Sequence, residues 1–312
     1  MTRRAALVVI VFAAVAVVAP WLAPYDSSLA FRDYLHAPPM RPRLDGFGAP
    51  VAHPLVLVDR LEQRFELDPA RVVPLPWFAH ATDQSPVFLL GSDSFGRDVL
   101  SRLFYGARTS IGLALVATLG AVLIGALAGA WAGYRGGWVD ESVMRVADFI
   151  LVLPVIYVVL VLRAMLPLAL PVSTIFLLTA WIFVAVGWPF VARGVRAIVA
   201  AERQREYVLA ARSLGAGPWR LLTRHLIPAC GGYLVVQATL LIPAFILGEA
   251  TLSFVGLGFP EDVPSWGTML IETANISQAA RFPWTLAPAA AIFAVVLTIN
   301  LALADNKRTL NP

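Results

Sequence analysis

Residues Thr109–Tyr134 read TSIGLALVATLGAVLIGALAGAWAGY, 26 residues without one charged side chain. A helix rising about 1.5 Å per residue needs about 20 residues to cross about 30 Å of hydrocarbon, so this stretch is long enough to span a bilayer. Uncharged runs of comparable length occur at Ala5–Tyr25, Ala164–Ala192, Leu226–Gly248 and Phe282–Ala304. A sixth, Val146–Leu162, carries Asp148 near its start and is stopped by Arg163, so it spans only if those charges reach the interfaces. Over the whole chain of 312 residues, 59% are hydrophobic and 14% charged, against about 25% charged in soluble proteins. The chain therefore reads as a membrane protein with six spans.

Charge gives the orientation. The net charge is +4, yet the basic residues are not clustered as nucleic-acid binding requires; they fall where membrane topology puts them. With an inside N-terminus, the short inside segments hold Arg3, Arg4, Arg135, Arg145, Arg193, Arg196, Arg203, Arg205, Arg212, Arg220, Arg224, Lys307 and Arg308, and the short outside loops hold Arg163 and Arg281. Both termini are expected in the cytoplasm. Arg3 and Arg4 ahead of the first apolar run also suit a secretory signal, but that run exceeds the usual ~7 to 15 residues of a signal core, and a retained anchor is the reading adopted.

Several chemistries are excluded by residue type. A single cysteine, Cys230, rules out an internal disulfide. The one lysine, Lys307, stands near the C-terminus, so no Gly-x-x-x-x-Gly-Lys-Ser/Thr phosphate cradle exists in the chain. No histidine falls in an expected span, which removes the nucleophile and base pair of an intramembrane serine protease, and there is no His-Glu-x-x-His metal site. A proton- or sodium-coupled carrier is the alternative; it needs paired acidic groups near mid-membrane, and none is seen. No cofactor or metal is expected.

Between residues 26 and 94 the chain turns polar and rich in proline, which leaves room for little more than a short amphipathic turn or two at Leu57–Leu67. This segment is expected outside the membrane, with His36, His53 and His80 as scattered surface residues. Phe95–Arg108 reads as a short helix suited to the membrane interface, and Gly136-Gly137 as a tight inside turn beside Trp138. Asp148, Arg163 and Glu249 stand close to expected span ends and are read as interface anchors.

The loop 196–228 is longer than a bundle connection needs. In AERQREYVLAARSLG, residues 201–215, Tyr207, Ala210, Ala211 and Leu214 share one helical face. Gly215 and Gly217 end that helix, and Pro218 begins another in which Trp219, Leu222 and Leu226 align. From periodicity alone this helix-turn-helix serves equally as a lipid-bound amphipathic pair or as a partner-docking elbow.

Residue identity favours docking. EYVLAARSLGAGPWRLLTRHLIPA, residues 206–229, resembles the coupling loop, or EAA loop, of ABC importer permeases in its peptide-permease version; the pattern falls on Ala210, Ala211, Gly215 and Pro228. Leu209 stands where the general family has glutamate, Glu206 being the acidic residue of the peptide version, and His225 where isoleucine is common. LLGSDSFGRDVLSRLFYGARTSIG (89–112), GYRGGWVDESVMRVADFILVLP (133–154) and GEATLSFVGLGFPEDVPSWGTML (248–270) are similar to segments of the C-type, or second, permease of the dipeptide, oligopeptide and nickel importers.

The resemblance implies an all-α integral membrane protein: one N-terminal helix (1–25), an external segment (26–94), a type-1 permease domain (95–305) and a cytoplasmic tail (306–312). Spans of that domain are expected at about 109–134, 146–166, 170–192, 228–250 and 283–304. It also implies a pore subunit of an ATP-driven importer in a bacterial inner membrane, partnered by a second permease subunit, two ABC ATPases that use ATP and magnesium, and an external solute-binding protein. Coupling to the ATPases would fall to Glu206, Tyr207, Ala210, Ala211, Leu214, Gly215 and Pro228. The solute is left open, and residues 40–88 match the family poorly.

Overall fold

The computed structural model describes residues 14, 17–19, 21–44, 50–60, 62–74, 86–165, 167 and 170–308. The expected first span, residues 5 to 25, lies mostly outside them, as does His80. Eleven helices are numbered here in chain order: α1 Val99–Arg135, α2 Gly137–Val152, α3 Val155–Ala164, α4 Val172–Glu202, α5 Glu206–Ser213, α6 Pro218–Leu221, α7 Ile227–Ala229, α8 Gly231–Phe254, α9 Trp266–Leu270, α10 Ile276–Arg281 and α11 Ala287–Arg308. Among the described residues, four helical stretches are long and apolar enough to cross a membrane, namely α1, α4, α8 and Pro283–Ala302; α2 and α3, bent by 88° at their break, could make a fifth.

Helix ends do not coincide with the expected membrane edges. Of the interfacial helix expected at Phe95–Arg108, residues 95–98 are not helical and the rest is the first part of α1, which begins at Val99 and runs for 37 residues, about 55 Å. Helix α4 likewise runs 31 residues to Glu202, into what the charge pattern marks as the start of the inside loop. Charged residues mark where lipid stops, while the backbone ladder continues as long as nothing breaks it. Pro189 in α4 and Pro243 in α8 sit within helices; neighbouring helices make such breaks tolerable in membrane proteins.

The chain divides into two compact units. The first comprises the described residues of 113–248 and 296–308. In it α1 meets α4 along glycines: a Cβ at Gly129 would lie 2.3 Å from the Ala192 carbonyl oxygen, and one at Gly133 would lie 2.6 Å from that of Arg196. Small residues spaced four apart allow two helix backbones to approach this closely. Helix α2 packs on α4 through two ion pairs. Arg196 Nε donates to Asp140 Oδ1 at 2.8 Å with its Nη2 reaching Oδ2, and Arg193 holds Asp148. Asp148 is thus bound to another helix, whereas the sequence suggested a lone interface anchor. Arg163, expected at an interface as well, is buried.

The second unit comprises the described residues of 14–112 and 249–295. The external segment forms strands where turns of helix were expected: β1 Arg43–Leu44, β2 Pro50–Ala52, β3 Leu55–Asp59, β4 Arg64–Leu67 and β5 Val73–Pro74. Strands β1, β2 and β5 make one antiparallel sheet, β3 and β4 a hairpin with Leu57 opposite Phe65. Leu55 joins a buried cluster with Phe31, Met40, Val87 and Phe88, and Phe65 packs against it, so burial of alternate residues selects strand here. His36 is no surface residue: it is buried, stacked 4.1 Å from the Phe282 ring. At the mouth of α1, Trp284 Nε1 donates to the Ser92 carbonyl at 3.0 Å and Ser94 N–H to Glu272 Oε1 at 3.0 Å.

Asp98, just ahead of α1, gives this unit a pH signature. Its Oδ2 accepts the Ser101 N–H at 2.7 Å and the Ser101 hydroxyl at 2.6 Å, but its buried Oδ1 has no hydrogen-bond partner among the described residues. Burial pushes its pKa up to about 6, against the Ser101 hydrogen bonds that lower it. The native state then holds a proton that the unfolded chain has already released, so stability present below pH ~4 is lost as pH rises through about 6. Burial acts oppositely on His36, whose depressed pKa removes stability as pH falls below its ordinary range. In detergent, wild type is expected to lose up to about 3 kcal/mol relative to Asp98→Asn between pH 4 and 6.5. Melts of both proteins across that range measure it; parallel curves would refute the assignment.

Candidate functional site

Helix α5 and the turn after it form the elbow expected from the sequence. Helix α5 leaves α4 after a short break: Arg205, in extended conformation, precedes the first turn, and Glu206 stands in that turn, favourable at the positive end of the helix. At its C-terminus the Ala216 N–H donates to the Ala211 carbonyl at 3.1 Å and the Gly215 N–H to that of Arg212 at 3.0 Å. These two bonds are the paired closure of a helix ended by a left-handed residue, and Gly215 has φ +84°. Gly217 and Pro218 then open α6, with proline at a first-turn position where its missing N–H costs nothing. A π-type turn, Leu222–Leu226, joins α6 to α7.

Val208 is the anchor of the elbow, only 2% exposed, while Tyr207, Leu209 and Leu214 stand 46%, 48% and 89% exposed. Tyr207, Ala210 and Leu214 share the outward face, with Ala211 half-buried at its margin. Tyr207 is steadied at the base of that face: its hydroxyl donates to Glu202 Oε2 at 2.7 Å, and this bond, then burial, raises its pKa. Its ring lies 6.1 Å from that of His225. Leu221, Leu222 and Leu226 are buried, whereas Trp219, expected to align with the latter two, points out at 66% exposure. Pro228 is exposed in α7, after the π-type turn, and is not part of the α5 face.

Sequence reasoning missed Val208 and Arg203. Arg203 Nη1 donates to the carbonyls of Gly133 at 3.1 Å and Tyr134 at 3.0 Å, covering the last turn of α1, where helix carbonyls have no partner of their own. Beside it lies a cleft of about 610 Å³ walled by Arg135, Arg203, Arg212, Val208, Leu209 and Leu221. Val208 was discernible as the lone β-branched residue of α5. Arg203 carried no local signal, because its partners lie in another helix.

Glu249 also departs from expectation. It stands inside α8, 1% exposed, accepting hydrogen bonds from the Ser110 hydroxyl at 2.6 Å and the Ser253 hydroxyl at 2.7 Å. The Trp266 N–H in turn donates to Ser110 Oγ at 3.1 Å. Glu249 is a buried polar knot within the second unit rather than an interface anchor.

Residues 121–305 match the family described as binding-protein-dependent transport system inner membrane component. The oligopeptide transport system permease protein OppC of Bacillus subtilis is 38% identical over 197 residues, 63% of this chain and 62% of that protein. The di/tripeptide transport system permease protein DppC of Pseudomonas aeruginosa is 33% identical over 295 residues, 95% of this chain and 82% of that protein. The dipeptide transport system permease protein DppC of Haemophilus influenzae is 34% identical, covering 74% and 75%. In fold, the chain is similar to one from an inward-facing structure of the MetNI methionine ABC transporter, with TM-score 0.51 and 17% identity over 67% of this chain and 96% of that one.

Proposed function

We infer the function of this chain from one fact: it belongs to the family of binding-protein-dependent transport system inner membrane components, which are transport permeases and not enzymes. It is the pore-forming permease subunit of an ATP-driven importer, and its solutes are di- or oligopeptides, as the names of its relatives suggest. A second permease subunit completes the pore, and an external binding protein supplies the peptide. Two separate ATPases drive the switch between inward- and outward-facing states. Both termini face the cytoplasm, on the side that carries the arginine-rich loops.

The observation that supports coupling is the shape of the elbow. Helix α5 is fixed from behind by Val208, closed at its end by Gly215, and presents Tyr207, Ala210 and Leu214 outward. A short closed helix moves as a body and passes a partner's displacement to the spans, where an open loop would absorb it. Glu206 starts that lever, Ala211 lies at its margin, and Pro228 stands where the second helix of the elbow returns toward α8.

Reconstitution of the chain with its second permease, ATPases and binding protein tests this. Peptide-loaded binding protein is expected to raise ATP hydrolysis severalfold over the empty binding protein. Stimulation by a loaded sugar-binding protein and none by peptide would overturn the peptide assignment.

A further inference from the structure

The cleft behind α5 has a composition that the coupling role does not use. Taking Tyr207 as the origin and 100° per residue, Ala210 and Leu214 fall within about 60° of it, while Val208, Leu209 and Arg212 fall between about 100° and 200°. Helix α5 therefore has a second working face, turned away from the one proposed for the ATPase. That second face lines the 610 Å³ cleft together with Arg135 and Arg203, and among the described residues no acidic one lines it.

The three arginines are not equivalent. Arg203 already holds the Gly133 and Tyr134 carbonyls, and so screens the negative end of α1 from anything in the cleft. Arg135 lies 5.0 Å over the Trp131 ring, and neither it nor Arg212 forms an ion pair among the described residues. Of the carboxylates nearby in sequence, Asp140 is engaged with Arg196 and Glu202 with Tyr207 and Arg205, while Glu206, in the first turn of α5, is not among the residues lining the cleft. Two guanidinium groups without an ion-pair partner among the described residues thus line a cavity whose exposed apolar surface comes from Leu209 and Pro218, with Val208 and Leu221 buried behind them and Tyr134 and Gln204 also on its wall. Trp131 is 37% and Trp138 81% exposed, the kind of aromatic found at headgroup level.

We propose that this cleft binds a phosphate-bearing anion, the guanidinium groups of Arg135 and Arg212 holding the phosphate and the apolar surface of Leu209 and Pro218 receiving an apolar tail. Planar guanidinium donors match phosphate oxygens in pairs. The apolar wall suits a phosphodiester lipid, whereas a free phosphate would use the arginines alone. Bound there, the anion would stiffen the elbow from behind.

Native mass spectrometry of the detergent-purified full chain tests the site without transport or ATPase activity, so its failure is separable from failure of the permease reading. Dioleoylphosphatidylglycerol is expected to be retained in preference to dioleoylphosphatidylcholine. Arg135→Ala with Arg212→Ala should weaken that retention roughly thirtyfold, two cationic contacts being lost. Leu209→Glu, which keeps every arginine but puts a carboxylate on the apolar wall, should also weaken it; Arg145→Ala, at an arginine paired with Glu141, should not. Displacement of the lipid by millimolar inorganic phosphate would assign the site to soluble phosphate, and resistance to it would assign the site to lipid. Equal retention of the two lipids with no phosphate binding, or undiminished retention by both the double variant and Leu209→Glu, would overturn the proposal.

Discussion

Placing aspartate at both Ala210 and Leu214 is expected to leave the chain inserted and folded while reducing ATPase association about a hundredfold or more. Both side chains stand on the outward face of α5, with Leu214 89% exposed, so neither substitution disturbs a packed core. In a bound complex the same two positions would lie at the centre of a buried contact, where carboxylates without partners are costly to desolvate. Co-purification of the ATPases with wild-type and variant permease, beside a membrane-extraction assay for insertion, measures the effect. The lipid-bound alternative for this helix predicts a different result: the variant would detach from anionic membranes but keep its ATPases. Gly215→Ala is a milder form of the same test, since open space surrounds that Cβ and only its positive φ is strained.

Gly129→Leu is expected to have the largest effect on the helical unit itself. The ideal Cβ at Gly129 falls 2.3 Å from the Ala192 carbonyl oxygen and 2.9 Å from the Ala192 Cα, and backbone cannot move aside as a flexible side chain can. Neighbouring positions are equally closed, with Gly125 against the Trp188 carbonyl and Val191, and Gly133 against the Arg196 carbonyl. A leucine must drive α1 and α4 apart, at a cost of about 3 kcal/mol or more. The change should appear as a lowered melting temperature and loss of monodisperse protein in detergent. Gly112→Ala is the control: nothing lies within 4 Å of its Cβ, so alanine there should be neutral or slightly stabilising. Equal behaviour of the two variants would show that the α1 and α4 contact is not the tight one described.

The apolar helices around 109–134, 170–192, 228–250 and 283–304 and the elbow were legible because both are written in local pattern, whereas the stretch at 146–166 is bent by 88° and that at 5–25 lies mostly outside the described residues. Thr109–Tyr134 is apolar throughout, and the elbow is bounded by Gly215, Gly217 and Pro218, whose backbone preferences act within a few residues. Helix ends beyond the membrane were not legible, since Arg97 and Arg102 at one end of α1 and Arg196 near the end of α4 marked the lipid boundary instead. The hairpin at Leu55–Leu67 was hidden by proline content: its strands are selected by where Leu55 and Phe65 are buried, a fact of tertiary packing. Glu249 misled for a related reason. Its apolar run stops there, but its helix continues to Phe254, and only Ser253 four residues on hinted at a hydroxyl within reach.

On the face of α5 proposed for coupling, Tyr207, Ala210 and Leu214 are exposed together as helical spacing predicts and Ala211 is half-buried beside them, while Pro228 was joined to them by a motif that follows the chain and not the surface. The buried side of α5 was overlooked because one valine among exposed neighbours is too weak a signal to define a face.

Uptake of labelled dipeptide into liposomes bearing this chain, its second permease and the external binding protein, with and without the ATPases and internal or external ATP, is the most direct test. The account predicts accumulation only when the ATPases are present and ATP is supplied on their side. Accumulation of dipeptide without any nucleotide-hydrolysing partner, driven by an imposed ion gradient, would contradict it.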